Sequence, residues 1–389
     1  MRKALVLDKR AGSLAVQVCR ALARRGYRVT IFGVRGSIAF SSKHCAHVIE
    51  LPAWNSEAIG NWLRRILTAE TYDAVYLCNE EILAVIHSLP GLRALKTLPM
   101  PGAAALQTLL SKHETLAWVK RHGIAAPLTL VPANEREVEE AADQLKLPLL
   151  IKGERGENSK NLRFVTSRKS LLPLYREMVR IEESYGGRPA LQEIVKGQAY
   201  SVGGLFQDGR PLRLCAHRKL LTYPSTGGVT VKGITERPQR LLEEAIKTFA
   251  AFRYTGLGHA EFIHDRAAGS FKFIEINPRV WGSIGIAEHA GVDLYNPYQQ
   301  LIDGQPVSSD LRYREGVVYH RFSAEMQLIV ERPLRLAGFI KDALDLRVTS
   351  DFSWADLGPY LAAMRRTGAS GSGAPYGLRT VEMNRPARE

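Results

Sequence analysis

The chain has only four cysteines, Cys19, Cys45, Cys78 and Cys215. They form no C-x-x-C pair and no zinc-ligand spacing, so neither a disulfide framework nor a structural zinc site is indicated. A reduced, cytoplasmic protein is the simplest account. No apolar run approaches the roughly 18 residues of a membrane span. The amino-terminal apolar stretch, residues 4–7, is stopped by Asp8-Lys9-Arg10, which is too short for a signal peptide and suits a first buried strand. The turn that follows, residues 8–13, lacks G-x-G-x-x-G and gives little support to a nicotinamide or flavin site. No Ser/His/Asp or Cys/His constellation for nucleophilic catalysis is evident, and no internal repeat.

What is present is ordinary for a globular protein: 45% hydrophobic and 24% charged residues over 389 positions, enough for two or three domains with real cores. The net charge is +14, and half of that excess lies in residues 1–100. There the basic residues (Arg20, Arg24, Arg25, Arg64, Arg65) are scattered over helical faces without interleaved aromatics, which argues against a nucleic-acid stripe. Long-range attraction of an anionic substrate or nucleotide, or a merely solvated basic surface, fits better.

Residues 3–32 read as strand, helix, strand, and such a start implies a parallel sheet. A later strand at 74–78 delivers Asn79-Glu80-Glu81 just past its carboxyl end, the rim where open parallel sheets bind ligands. Either acid suits a substrate amine or simply a helix start. Leu98-Pro-Met-Pro-Gly102 marks a boundary. Beyond it the pattern predicts one amphipathic helix over 103–122, a strand at 128–131 and an acidic-faced helix over 135–146. A buried strand at 149–152 ends in Lys152. A polar turn (153–161, containing Ser159) and a strand at 162–165 complete a hairpin whose backbone amides are suited to cover phosphates. Strands at 200–206 and 212–219, a loop at 223–228 and a helix at 238–252 follow. The last 85 or so residues are less regular, with a helix at 334–344 and a Gly/Ser-rich tail.

The densest chemistry lies between Gly258 and Gly282. Two adjacent strands are expected, 258–263 and 271–279, and alternation on the second puts Phe273, Glu275 and Asn277 on one face, with Ile274 and Ile276 on the other. A buried Glu and Asn need a partner. A hard divalent cation sharing phosphate oxygens is one such partner; a solvated edge strand is the alternative.

The order of these features resembles the ATP-grasp superfamily over about residues 1–300: Lys112 on a helix, Lys152 and its hairpin, Gln192-Glu193-Ile194-Val195, then Lys219, Glu261 and Glu275-x-Asn277-x-Arg279. The phrases Arg218-Lys219…Tyr223-Pro-x-x-Gly-Gly and Glu275-Ile-Asn-Pro-Arg-x-Trp-Gly-Ser283 look closest to the uncharacterised predicted ATP-dependent carboligases. The resemblance implies a mixed α/β and α+β fold. A Rossmann-like parallel sheet (1–100) would precede an ATP-grasp small lobe (101–190) and large lobe (191–305), with a helical or irregular extension at 306–389.

It also implies roles. Lys112, Lys152 and Ser159 of the hairpin turn would meet the phosphates of ATP. Gln192, Glu193, Ile194 and Val195 would form the hinge that reads adenine. Gln198 stands where the family usually places an acid on the ribose, and His259 where many relatives place arginine. Lys219 would steady the terminal phosphate, although Arg218 carries the same charge. Glu261, Glu275 and Asn277 would hold one or two Mg²⁺ (or Mn²⁺), and Arg279 would stabilise developing negative charge. The implied activity is joining a small-molecule carboxylate to an amine through an acyl phosphate, with no nucleic-acid or membrane partner; a homodimer is a fair expectation for relatives of this type. A bicarbonate-using carboxylase of the same fold and a non-catalytic nucleotide binder are the alternatives.

Overall fold

The computed structural model describes residues 1–369 apart from 10–11, 52–55, 70–71, 93–94, 155–160, 184–186, 225–227, 332 and 346. The chain starts with β1 (Lys3–Leu7), α1 (Ser13–Arg24), β2 (Arg28–Val34), β3 (Cys45–Leu51), α2 (Ser56–Ala69), β4 (Ala74–Leu77) and α3 (Glu80–Ser88). The four strands form a parallel sheet in the order β3-β2-β1-β4. Successive residues of β1 serve two cores. Ala4 and Val6 pack with α1, whereas Leu5 and Leu7 pack with residues of α2 and α3. A strand covered on both faces must be apolar throughout, which is why residues 4–7 read as an unbroken apolar run.

The second unit comprises α4 (Ala103–Leu109), α5 (Lys112–Arg121), β5 (Thr129–Leu130), α6 (Glu135–Leu145), β6 (Leu149–Lys152), β7 (Leu162–Val165), α7 (Arg168–Glu183) and β8 (Ala190–Glu193). Its strands lie in the order β5-β8-β6-β7 with antiparallel pairing. The single helix expected over 103–122 is two helices. Ser111 turns extended (φ −110°, ψ 119°), and its hydroxyl accepts from Glu114 N at 3.2 Å, so a new helix starts at Lys112.

A larger sheet follows, built from β9 (Gly197–Gln207), β10 (Arg210–Tyr223), β11 (Val229–Thr235) and, after α8 (Gln239–Ala251), β12 (Gly256–Asp265) and β13 (Ser270–Asn277). Helices α9 (Ile284–His289) and α10 (Tyr295–Ile302) precede β14 (Val318–His320). Then come α11 (Phe322–Glu331), α12 (Leu336–Leu344), β15 (Val348–Ser350) and α13 (Gly358–Ala369). The order is β13-β12-β9-β10-β11-β14-β15, so two short strands from the last hundred residues extend this sheet. One sheet face packs on α8 and α5 through Val202, Ala260, Phe262, Phe273 and Phe249. The other shares a core with α1, α9 and α10 through Leu205, Cys215 and Trp281. The first sheet is thereby held against the large one. Val280 N donates to Leu77 O at 2.9 Å, placing the segment after β13 at the carboxyl end of β4.

Candidate active site

The site grows from the β12–β13 ladder, and its geometry departs from simple alternation. Glu261 pairs with Glu275 and His259 with Asn277, but Phe262 pairs with Phe273, so Ile274 is an extra residue in a β-bulge. Phe273 therefore joins Phe271 and Ile276 in the apolar core, on the face opposite Glu275 and Asn277. The expectation that Phe273 shares their face is corrected; a bulge shifts the alternation by one residue. Across the sheet the same rung continues from Glu261 to Ser201 of β9 and His217 of β10.

Cations converge on the two acids. Lys219 Nζ lies 2.6 Å from Glu261 Oε2 and donates to Gly228 O at 3.1 Å. Its neighbour Arg218 instead donates to Glu236 at 2.7 Å, so of the two it is Lys219 that meets the acid. Lys152, at the end of β6, is buried, and burial brings its pKa down to about 8 against the opposing pull of Glu275 and Glu261, with Lys112 adding to the decrease. For Glu275 burial favours the neutral acid, but Lys112, Lys152, the Asn277 amide and Lys219 outweigh it and hold the group below the usual carboxylate range. Glu261 is raised, because burial and the negative charge of Glu275 outweigh Lys219 and Lys152. Asn277 Nδ2 donates to Glu275 Oε1 at 3.2 Å, and Arg279 Nη2 donates to Asn277 Oδ1 at 3.0 Å. The same Arg279 nitrogen lies 3.2 Å from Glu80 Oε1, at the rim of the parallel sheet. Glu81 is ion-paired with Lys9 instead.

Among the described residues no group of three His, Cys, Asp or Glu side chains has metal-binding geometry. The donor set here is two carboxylates and an amide. Such hard oxygens, too few for a closed cage, suit Mg²⁺, which keeps waters and completes its shell with substrate phosphates. Glu261, Glu275 and Asn277 fit that role. Lys112, Lys152, Lys219 and Arg279 supply the positive surroundings a polyphosphate requires.

The remaining expected positions are less exposed to a ligand. Gln192 is buried and donates to Thr129 Oγ1 at 2.8 Å. Glu193 Oε1 accepts from Lys272 Nζ at 2.7 Å and from Leu128 N at 3.1 Å. Gln198 donates its amide to Lys219 O at 2.7 Å and Ala199 O at 3.2 Å. Ile194 and Val195 follow β8 as a half-buried connector. Ser159 lies outside the described residues. His259 is buried, stacked on Trp281 with ring centroids 5.6 Å apart, and neither ring nitrogen has a hydrogen-bond partner. Burial, helped by Lys219, His217 and Arg279, lowers its pKa well below the ordinary value.

Sequence reasoning missed Ser201 and His217, which share the acidic rung. His217 precedes Lys219 by two on one strand, so period-two spacing carried that signal. Burial lowers His217 to about 3, with Lys219 contributing, and its Nε2 meets Thr230 Oγ1 at 3.3 Å.

The site thus gathers side chains from β6, α5 and the large sheet. Residues 110–283 match the family model described as ATP-grasp domain, and this segment is an ATP-grasp domain. No curated protein sequence matches it. Among solved structures it is similar to biotin carboxylase from Campylobacter jejuni, solved as a β,γ-ATP complex (TM-score 0.66, 17% identity, covering 82% of this chain and 74% of that one). It is also similar to L-amino acid ligase from Bacillus licheniformis (0.64, 17%, 82% and 79%) and to N5-carboxyaminoimidazole synthetase from Staphylococcus aureus complexed with ADP (0.63, 14%, 81% and 80%). At these identities the likeness establishes the fold.

Proposed function

We propose that the protein is an ATP-dependent ligase that joins a carboxylate to an amine. The observation that carries this reading is the single constellation of Glu261, Glu275, Asn277 and Arg279, flanked by Lys152 and Lys219, on one face of the large sheet. A substrate carboxylate oxygen attacks the γ-phosphorus, the bond to the ADP oxygen breaks, and an acyl phosphate forms. The amine nitrogen then attacks the acyl carbon, a C–N bond forms, and phosphate departs while the ammonium proton passes to solvent. Activation is required because a carboxylate at neutral pH is a poor electrophile. Mg²⁺, when bound, would neutralise charge on the phosphoryl group in transfer.

The residues have separable tasks. Lys152 and Lys112 attract the phosphates, and Lys219 neutralises charge beside Glu261. Glu261, Glu275 and Asn277 would hold the cation. Arg279, which already reaches both Asn277 and Glu80, donates to the oxyanion of the tetrahedral intermediate. The rim at Glu80 is where the second substrate enters this reading. The similarity in fold to proteins named as an amino acid ligase and as carboxylases is compatible with it.

The test is ADP release by the purified chain with Mg·ATP and pools of carboxylates and amines, alongside a bicarbonate arm. Stimulation that requires both organic substrates supports the ligase. Release stimulated by bicarbonate without an organic acid moves the protein to the carboxylase reading. Absence of turnover with every pool, together with unchanged Mg·ATP binding in Glu275→Gln, leaves only a nucleotide binder.

A further inference from the structure

Glu182 lies near the carboxyl end of α7 with 0% of its surface exposed. Its position in a polar helical run gives no hint of a site. Its Oε2 accepts from the backbone N of Glu154 at 2.9 Å, and its Oε1 accepts from Asn161 Nδ2 at 3.0 Å. Those donors stand at the two ends of the turn joining β6 to β7, which is also closed by Gly153 N donating to Asn161 O at 2.8 Å. The fit leaves no space for a side chain at Gly153, where a Cβ would come within 2.3 Å of Glu182 Oε1. Gly187 is confined too: a Cβ there would come within 2.8 Å of Glu154 Oε2 and 2.9 Å of Glu182 Oε2.

The network then continues to a second cation. Glu154 Oε1 accepts from Ser111 Oγ at 2.6 Å, and Ser111 caps α5, whose first residue is Lys112. His113 of the same helix donates from Nε2 to Arg188 O at 2.8 Å, just past Gly187. Gly187 N in turn donates to Glu182 O at 3.2 Å. Lys152 immediately precedes Gly153. One buried carboxylate thus sets the turn's base against both the β6 lysine and the helix bearing Lys112.

We propose that Glu182 is a positioning residue for the phosphate chain of the nucleotide. It acts through Gly153, Glu154 and Asn161 at the base of that turn and through Ser111 rather than by touching ligand. A buried carboxylate is retained only where its hydrogen bonds are met. Here they are met by groups whose placement decides where Lys152 and Lys112 lie. The inference rests on the nucleotide-binding reading above.

The experiment measures binding of Mg·AMP-PNP and of adenosine to the full chain by calorimetry, for the parent, Glu182→Gln and Asn161→Ala. Glu182→Gln turns one accepting oxygen into a donor facing another donor. It is expected to weaken Mg·AMP-PNP at least tenfold while adenosine stays within about twofold, since only phosphate contacts depend on the turn. Asn161→Ala removes one donor and leaves α7 intact, so it carries the test if Glu182→Gln does not fold; a loss of roughly threefold or more, again confined to Mg·AMP-PNP, is expected. Parallel losses for both ligands mark a general structural role and overturn the inference, as does no loss. A parent chain that binds no Mg·AMP-PNP overturns the nucleotide site itself and this inference with it.

Discussion

Glu275 stands directly opposite Glu261 across the β12–β13 ladder, and Ile274, the extra residue of a bulge, puts it there. Two carboxylates on one rung repel each other unless cations intervene. Lys219 meets Glu261 at 2.6 Å, while Lys112 and Lys152 act on Glu275. The arrangement is electrostatically balanced around a place where a nucleotide and its cation would bring charges of both signs.

Removing a single donor to that cation should abolish chemistry without unfolding the protein. Glu275→Gln or Asn277→Ala is expected to lose Mg²⁺-dependent ADP release by far more than tenfold, with the thermal midpoint within a few degrees of the parent. Tenfold corresponds to only ~1.4 kcal/mol of barrier. A variant retaining more than about a tenth of the parent rate would show that these groups do not hold the metal.

Lys219 is the buried partner of Glu261, its side chain 3% exposed against 22% for the acid. Lys219→Met should destabilise the fold by roughly 1–3 kcal/mol, because it leaves a largely buried carboxylate uncompensated. Adding Glu261→Gln should recover part of the loss. Urea melts of both single variants and the double variant measure the coupling; strictly additive losses would mean the ion pair contributes nothing.

Nucleotide affinity should fall as pH rises. Lys152 binds phosphate only as the cation, and burial brings its pKa down to about 8 in the free protein, with Lys112, Glu275 and Glu261 as the charged groups facing it. Below that pH the charge is present; above it, each pH unit weakens Mg·ATP binding by at most about tenfold through this group. Calorimetry between pH 7 and 9 should show the decline in the parent and a flatter profile in Lys152→Arg. Identical profiles would remove Lys152 from the phosphate site.

Trp281 occupies the space above Gly203, where an added Cβ would come within 2.3 Å of its ring. Gly203→Ala should displace Trp281, two residues beyond Arg279, at a cost of about 1–3 kcal/mol for overpacking. A lower thermal midpoint together with reduced kcat is expected. Unchanged values for both would show that the ring moves aside freely.

Much of the site was legible because its signals are local. Lys152 ends a short apolar strand bounded by a polar turn, and Glu275-Ile-Asn-Pro-Arg279 is a contiguous phrase. The break before Lys112 was also written locally, since Ser111 precedes Glu114 by three residues, a helix-start signature. The face of Phe273 was not legible. Period two predicts alternation, and only pairing with β12 reveals the bulge that interrupts it. Strands as short as β14 and β15, three residues each, carry no periodicity at all.

The sequence by itself determined the parallel start, the lysine-ended strand and the oxygen donors of β12 and β13, because residue type and spacing dictate which groups a strand presents. The tertiary structure alone decided that Lys219 rather than Arg218 meets Glu261, that Arg279 reaches Glu80, and that Glu182 accepts from the backbone N of Glu154. Each of these contacts joins segments between 28 and 199 residues apart, as the positions themselves show. Which partner wins there depends on packing and burial, and neither is encoded in the identity of any one residue.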